Sequence, residues 1–395
     1  MSMISRRARY DFEEMAGEMD PALARRLFEE GAFLVIFGMP QHTEFGIDNN
    51  IWEVGPRFRG VKLIPPGLHF VHYSAVCAGP PRRVAPRLGF FHNFARREIL
   101  VHKWDRTLEE LSDQPVPTEE VESIRTKIKD LDCMLGAYPY NNLRQWLALV
   151  SHVTPKLASD LQPADGRVSA SPILLPDVPG RTQTDRMSLT PNFNQPLCTS
   201  LQEGEARLPA MHPAPGTELR FSPVPTRCFP SGASPAEVTR HSLDRSFALD
   251  SLIESSYRGD EHAVLGELQF SFVCFWLCHV LEAFTHWKDL IELLASSALA
   301  ATSRPRLYSD LVPVLYAQLQ HVPQDMFVDI VASENFLTST LHELFETLSN
   351  PHVQPTLRQR ALRFKEHLTR TYGWDFDSEP DDCAPVLVEL PDAHV

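Results

Sequence analysis

The sequence is short of basic charge. It sets 37 Lys and Arg against 51 Asp and Glu, a formal net charge of −14. That balance argues against strong direct nucleic-acid binding, which needs a positive face to neutralise phosphates. Cysteine is scarce as well. The seven residues are an odd number, scattered from Cys77, Cys133, Cys198 and Cys228 to Cys274, Cys278 and Cys383. They do not resemble a disulfide framework, and the expected compartment is a reducing one, cytoplasmic and nuclear. No clean apolar run reaches the ~20 residues that cross a bilayer. The most apolar stretch, Leu268 to Phe284, is interrupted by Gln269, Ser271, His279 and Glu282 and reads as a buried core helix. The first residues, MSMISRRARYDFEEM, carry charge but no apolar segment, so a secretory signal is not expected there.

Motifs that carry chemistry are missing too. There is no G-x-S-x-G, G-x-G-x-x-G or G-x-x-x-x-G-K-[ST]. Cys274-x-x-x-Cys278-His279 puts two thiols on one helix face, but within FVCFWLCHV they read as small buried hydrophobes, and no second pair stands at zinc spacing. His69 and His72, three apart in a strand, fall on opposite faces. His342-Glu343 is followed at the decisive position by Glu346 rather than histidine. The expectation is therefore a non-enzymatic protein without cofactor or metal. Two alternatives stand beside it. One is a hydrolase whose triad is assembled from distant residues, which only geometry reveals. The other is an RNA-binding module using Phe45, Trp52 and Phe58 as stacking platforms.

What is present begins with Thr43 to Ser74, TEFGIDNNIWEVGPRFRGVKLIPPGLHFVHYS. Four glycines (Gly46, Gly55, Gly60, Gly67) and three prolines among aromatic and β-branched residues predict short strands joined by tight turns. Ala32–Phe37 predicts a buried strand, Leu68–Tyr73 an alternating one, and Arg87–His92 and Glu98–Trp104 two more. A short helix is expected between Asp20 and Gly31. From Thr118 the spacing of Val121, Ile124, Ile128, Leu131 and Leu135 predicts a helix stopped by Gly136. Shorter helices are expected at Asn142–Val150 and Pro155–Leu161.

The fold class is accordingly α+β with two domains. Residues 1–18 form a flexible extension, 19–161 a β-rich, sandwich-like domain with short helices, and 162–215 a Pro-rich linker, partly disordered. Residues 216–372 form an all-α domain. It opens on the capping box Ser234-Pro235-Ala236-Glu237. Helices follow at about 236–256, 262–282, 284–299, 306–321, 323–331, 335–349 and 354–372, with Phe270–Leu281 central. Ser171-Pro172, Thr190-Pro191 and Ser222-Pro223 are weak proline-directed phosphorylation motifs. Residues 373–395 form an acidic tail. Asp375, Asp377, Glu379, Asp381, Asp382, Glu389 and Asp392 occur there without Lys or Arg. The tail ends on a strand pattern bracketed by prolines, Val386-Leu387-Val388-Glu389-Leu390. It reads as a strap packed on its own domain, as a disordered end, or as a strand added to a partner's sheet edge.

Several of these segments resemble one family. MDPALARRLFEEGA, the run Thr43–Ser74, Arg87–Phe91, Tyr138-Pro139-Tyr140, Leu265–Phe275, FVDIVASENFLTSTL and WDF…EPDDCAPVLVELP are similar to the a1-alpha2 repression splicing-factor family, an assembly factor of the U5 snRNP. The resemblance runs from Met19 to about Pro391, apart from most of the linker. It implies a VHS-like helical domain and no enzymatic activity. It also implies a chaperone role in pre-mRNA splicing: binding the large scaffold protein pre-mRNA-processing factor eight, through its RNase H-like domain and neighbouring regions, until a helicase replaces the factor. Within the tail, the partner-binding role would fall on Val386, Leu387, Val388, Glu389 and Leu390.

Overall fold

A computed structural model of the chain describes residues 21–77, 82–171, 173–176, 211–323 and 336–377. The extension 1–18, nearly all of the helix expected at 323–331, most of the linker and the tail strand 386–390 lie outside the described residues.

The N-terminal domain starts with helix α1 (Pro21–Glu30), followed by β1 (Ala32–Phe37), β2 (Glu44–Ile47), β3 (Asn50–Glu53), β4 (Gly60–Ile64) and β5 (Gly67–Ser74). After the small pair β6 (Val76–Cys77) and β7 (Arg83–Val84) come β8 (Leu88–Phe94), β9 (Ile99–Asp105), β10 (Glu110–Leu111), helix α2 (Thr118–Lys127) and β11 (Leu135–Ala137). Helices α3 (Leu143–Leu149) and α4 (Pro155–Leu161) and strand β12 (Val168–Ser169) complete it. One five-stranded sheet has the order β10-β9-β1-β4-β11 and the other β12-β8-β5-β2-β3. The sheets share an apolar core, the expected sandwich. Strand β1 is apolar throughout because both its faces are covered. Ala32, Leu34 and Ile36 enter the core between the sheets with Phe45, Ile47, Val71 and Tyr73. Phe33 and Val35 face the other way, toward Ile124 of α2.

Two local expectations change. The helix predicted through Leu135 ends at Lys127. A single 3₁₀ turn at Asp132–Met134 follows, and Leu135–Ala137 pairs in parallel with β4. Ile124 and Leu135 do bury in the same cluster, so the apolar spacing reflects a common core rather than one helix. Gly46 is not a turn residue. It lies within β2 opposite His72, and a Cβ there would collide with the His72 imidazole.

A hairpin of β13 (Leu174–Pro176) and β14 (Met211–Pro213) marks the ends of the linker. The helical domain holds α5 (Pro235–Leu243), α6 (Ser246–Tyr257), α7 (Glu261–Cys278), α8 (Leu281–Ala295), α9 (Ala298–Ser303), α10 (Pro305–Leu319), α11 (Phe336–Ser349) and α12 (Pro355–Tyr372). The capping box at Ser234 and Glu237 forms at the start of α5. The single helix expected at 236–256 is instead two. Asp244 turns extended, and its carboxylate accepts from the Ser246 and Leu299 amides, the local backbone bonding that makes Asp a helix breaker. Central helix α7 stops at His279, which takes a left-handed conformation (φ 60°), earlier than the 282 expected.

The outer face of the second sheet is covered by the helical domain. Phe70 and Phe91 belong to the same cluster as α7 and its neighbours. Phe91 stacks on Phe270 at 4.8 Å, and Arg87 donates to the Leu277 carbonyl at 2.7 Å. Gln269, a polar break in the apolar run, ties the domains together. Its oxygen accepts from the His152 amide at 2.7 Å, and its nitrogen donates to Ala148 O and Ser151 Oγ, each at 3.0 Å.

Candidate interaction site

Two knots of buried polar groups are the places where chemistry could hide. The first centres on Asp48, in the β2–β3 turn with φ 54°. Its Oδ1 accepts the Phe70 amide at 2.9 Å, and its Oδ2 takes bonds from His69 Nδ1 at 2.7 Å and the Tyr138 hydroxyl at 2.5 Å. His69 also bonds through Nε2 to the Pro65 carbonyl at 2.8 Å, and His72 Nε2 reaches the Asp48 carbonyl at 3.1 Å. Asp48 is 1% exposed and His69 2%. Burial first, and then the Asp48 charge, push the Tyr138 phenol far above its ordinary range. A base meant for a substrate needs an open approach to the proton it takes. Here each carboxylate oxygen faces inward onto groups of its own fold. Nearby, Asn142 donates to Asn50 at 2.6 Å and Tyr140 to Leu63 O at 2.7 Å. The knot clamps the β2–β3 turn, β5 and the Tyr138-Pro139-Tyr140 segment into one block.

The second knot lies in the helical domain around Glu267, which is wholly buried. Its oxygens accept from the Ser222 amide (2.7 Å), Ser222 Oγ (2.9 Å), His286 Nε2 (2.7 Å) and the Tyr257 hydroxyl. Burial alone raises the carboxyl pKa, but the hydrogen bonds from His286 and Tyr257 outweigh it and hold the group below the usual range. A depressed carboxyl pKa contributes stability above the unfolded value, about 4.3, and that contribution disappears as pH falls through the lower folded value. The full chain should therefore lose thermal stability on acidification below about pH 4.3 more steeply than its Glu267→Gln variant. Parallel slopes in a pH series of melting curves would show that the carboxylate is not the titrating group.

The residues singled out in the sequence separate clearly. Cys274 and Cys278 are buried in the core, with burial raising both thiols, Cys278 to about 12, while His279 is the exposed cap of α7. His69 and His72 both bond to Asp48, one to its carboxylate and the other to its backbone carbonyl. Among the described residues no three His, Cys, Asp or Glu converge as metal ligands. Phe45, Trp52 and Phe58 are 0, 4 and 6% exposed. They are core, and the RNA-stacking alternative loses its platform. Ser171 is exposed, Ser222 is bonded into the Glu267 knot, and Thr190 lies outside the described residues. Val386, Leu387, Val388, Glu389 and Leu390 lie outside them too. The tail is anchored just before it leaves the described region. Phe376 is buried against Phe345 with ring centroids 5.1 Å apart, and Lys365 donates to Asp377 at 2.6 Å.

Several large apolar side chains stand exposed on the surface. Leu243 is 80% exposed and Leu299 64%, and the Asp244 bond to the Leu299 amide holds these two side chains' helices together. Ile173, Leu174 and Leu175 stand out from the hairpin at the linker. Helix α5 has no buried residue at all. Exposed apolar side chains are available for contact with a partner, and contiguous patches of them mark protein-binding surfaces. Neither polar knot was legible beforehand. Glu267 gave a faint signal as a carboxylate in an otherwise apolar helix, whereas the Asp48–Tyr138 pairing spans 90 residues and has no local mark.

Both domains have counterparts among known proteins. A sequence model described as the AAR2 N-terminal domain matches residues 30–163, and one described as the AAR2 C-terminal repeat region matches residues 221–377. The chain is 49% identical over 375 residues to the Protein AAR2 homolog of Mus musculus, covering 95% of this chain and 98% of the relative. It is 48% identical over 377 residues to that of Homo sapiens, with the same coverage. To that of Caenorhabditis elegans it is 34% identical over 380 residues, covering 92% of this chain and all of the relative.

Proposed function

Because the chain belongs to the AAR2 family, the U5 snRNP assembly factors, we propose that it is a non-catalytic chaperone of that particle, binding pre-mRNA-processing factor eight and holding it until a helicase takes its place. The observation that carries this reading is the match of both domains to the family's sequence models, together with 48–49% identity to two relatives across 95% of the chain. The relatives bear the name of the AAR2 protein rather than of an enzyme, and the buried carboxylates here are spent on the fold. The partner surface proposed is the tail strand Val386–Leu390, supported by the apolar side chains left exposed on the linker hairpin and at the α5–α9 junction. An acidic tail also speeds encounter with a basic partner surface. Work in the nucleus and cytoplasm follows from the same reading. Crosslinking of the chain within a purified U5 particle, mapped to residues, tests it. Crosslinks should join the tail and the linker hairpin to the RNase H-like domain of pre-mRNA-processing factor eight. A map in which this chain yields crosslinks to RNA alone would favour the RNA-binding reading and overturn this one.

A further inference from the structure

A pocket of about 460 Å³ opens at one end of the first sheet, lined by Gly38, Met39, Pro40, Pro56, Arg59, Trp104, Arg106 and Glu109. The topology assembles it. Strands β1 and β9 run parallel, so Gly38–Pro40, just past β1, and Trp104–Arg106, at the end of β9, lie at the same edge. Strand β4, antiparallel to β1, begins there with Arg59 just before it. The carboxyl ends of neighbouring parallel strands are where ligands commonly sit, and the volume is within the range of ligand pockets.

Its charge runs against that of the protein. Two guanidinium groups line it in a chain of net charge −14. Arg59 is held by donating to the Phe58 carbonyl at 2.7 Å, and Arg106 forms no ion pair among the described residues. Trp104 forms one wall. It is 7% exposed, its ring is fixed edge-on against Tyr73 at 5.6 Å, and its indole N–H is buried without an acceptor. A buried donor left unpaired is costly, and an oxygen arriving with a ligand is the kind of partner it lacks. Glu109 contributes the one negative group, leaving a net positive charge of one. That suits a single planar carboxylate, which guanidinium binds in a fork, better than a phosphate dianion.

We propose that this pocket binds a carboxylate presented on a peptide segment. Such a group has two sources: an acidic segment of a partner protein, or this chain's own acidic tail folding back. The site is separate from the tail strand and does not depend on its role.

Two fluorescein-labelled probes, hexaglutamate and the peptide of residues 378–392, are titrated by polarisation into the full chain and into its Arg59→Gln/Arg106→Gln variant. Arg106 is exposed and Arg59 half-buried, and melting curves check that the variant is folded. Arg106→Glu serves as the second variant should the pair prove unstable. At least one probe should bind the unmodified chain, at least tenfold more tightly than either variant. A third protein, the full chain with Asp381→Asn and Asp382→Asn, distinguishes the sources. If it binds the tail peptide more tightly than the unmodified chain does, the tail is the occupant. Equal binding, or binding of hexaglutamate alone, assigns the pocket to a partner's segment. Failure of both probes to bind, or equal affinity for the chain and its arginine variants, overturns the proposal.

Discussion

Replacing Gly60 by alanine should leave the N-terminal domain unable to hold its fold. Gly60 opens β4 with φ 129°, a conformation that side chains rarely adopt. It is paired on both sides, antiparallel with Val35 of β1 and parallel with Leu135 of β11. A Cβ at this position would collide with the Leu34 carbonyl oxygen, and Leu34 is itself wholly buried in the core between the sheets. Neither strand can shift without breaking pairings on its other side. Backbone strain and the clash together should cost at least about 4 kcal/mol, against a total stability of about 5–15 kcal/mol for an ordinary domain. Denaturant titration followed by far-ultraviolet dichroism is the check. A midpoint within error of the unmodified chain would show that the strand pairing at Gly60 is not as tight as described.

The second large effect belongs to Asp48. Asp48→Ala removes the acceptor for the Phe70 amide, His69 and the Tyr138 hydroxyl at once. Breaking a buried charged network by deleting one member costs about 3–5 kcal/mol, mostly through the partners left unsatisfied. Asp48→Asn keeps one oxygen acceptor and should lie between the two. Melting temperature and hydrogen exchange at the Phe70 amide read this out. An Asp48→Ala protein as stable as its parent, with the Phe70 amide still protected, would mean that the knot is replaceable by water and does not clamp the sandwich.

These two residues show what the sequence revealed and what it concealed. Strand β1, strand β5 and helix α4 were visible because each signal is local: an apolar run, a run of aromatic and β-branched residues, and a short apolar period opening on proline. The alternation expected of β5 is not seen in its burial, since His69 through Ser74 are all buried. The end of α2 was not. Ile124 and Leu135 obey helical spacing yet reach their shared cluster from a helix and a strand. The run Thr43–Ser74 was legible as turn-rich β structure. Its polar residues were not legible as a clamp, because Asp48 finds Tyr138 across 90 positions. Gly46 and Gly60 looked like ordinary turn residues, but one gives way to a histidine ring and the other to a neighbouring strand's backbone. The absence of catalytic motifs in that run agrees with a segment whose polar groups hold the scaffold together. The arginine-lined pocket had no sequence signal at all, since its walls come from three separate stretches of the chain.

The proposed grip of the chain on its U5 partner is the tail strand. Titration of the purified RNase H-like domain of pre-mRNA-processing factor eight against the full chain and its Val388→Pro variant tests it most directly. Proline removes a main-chain donor from the middle of the strand without touching either described domain. The unmodified chain should bind, and the variant should bind at least tenfold more weakly, about 1.4 kcal/mol or more. Equal affinity for the two, or no binding by the unmodified chain, would contradict it.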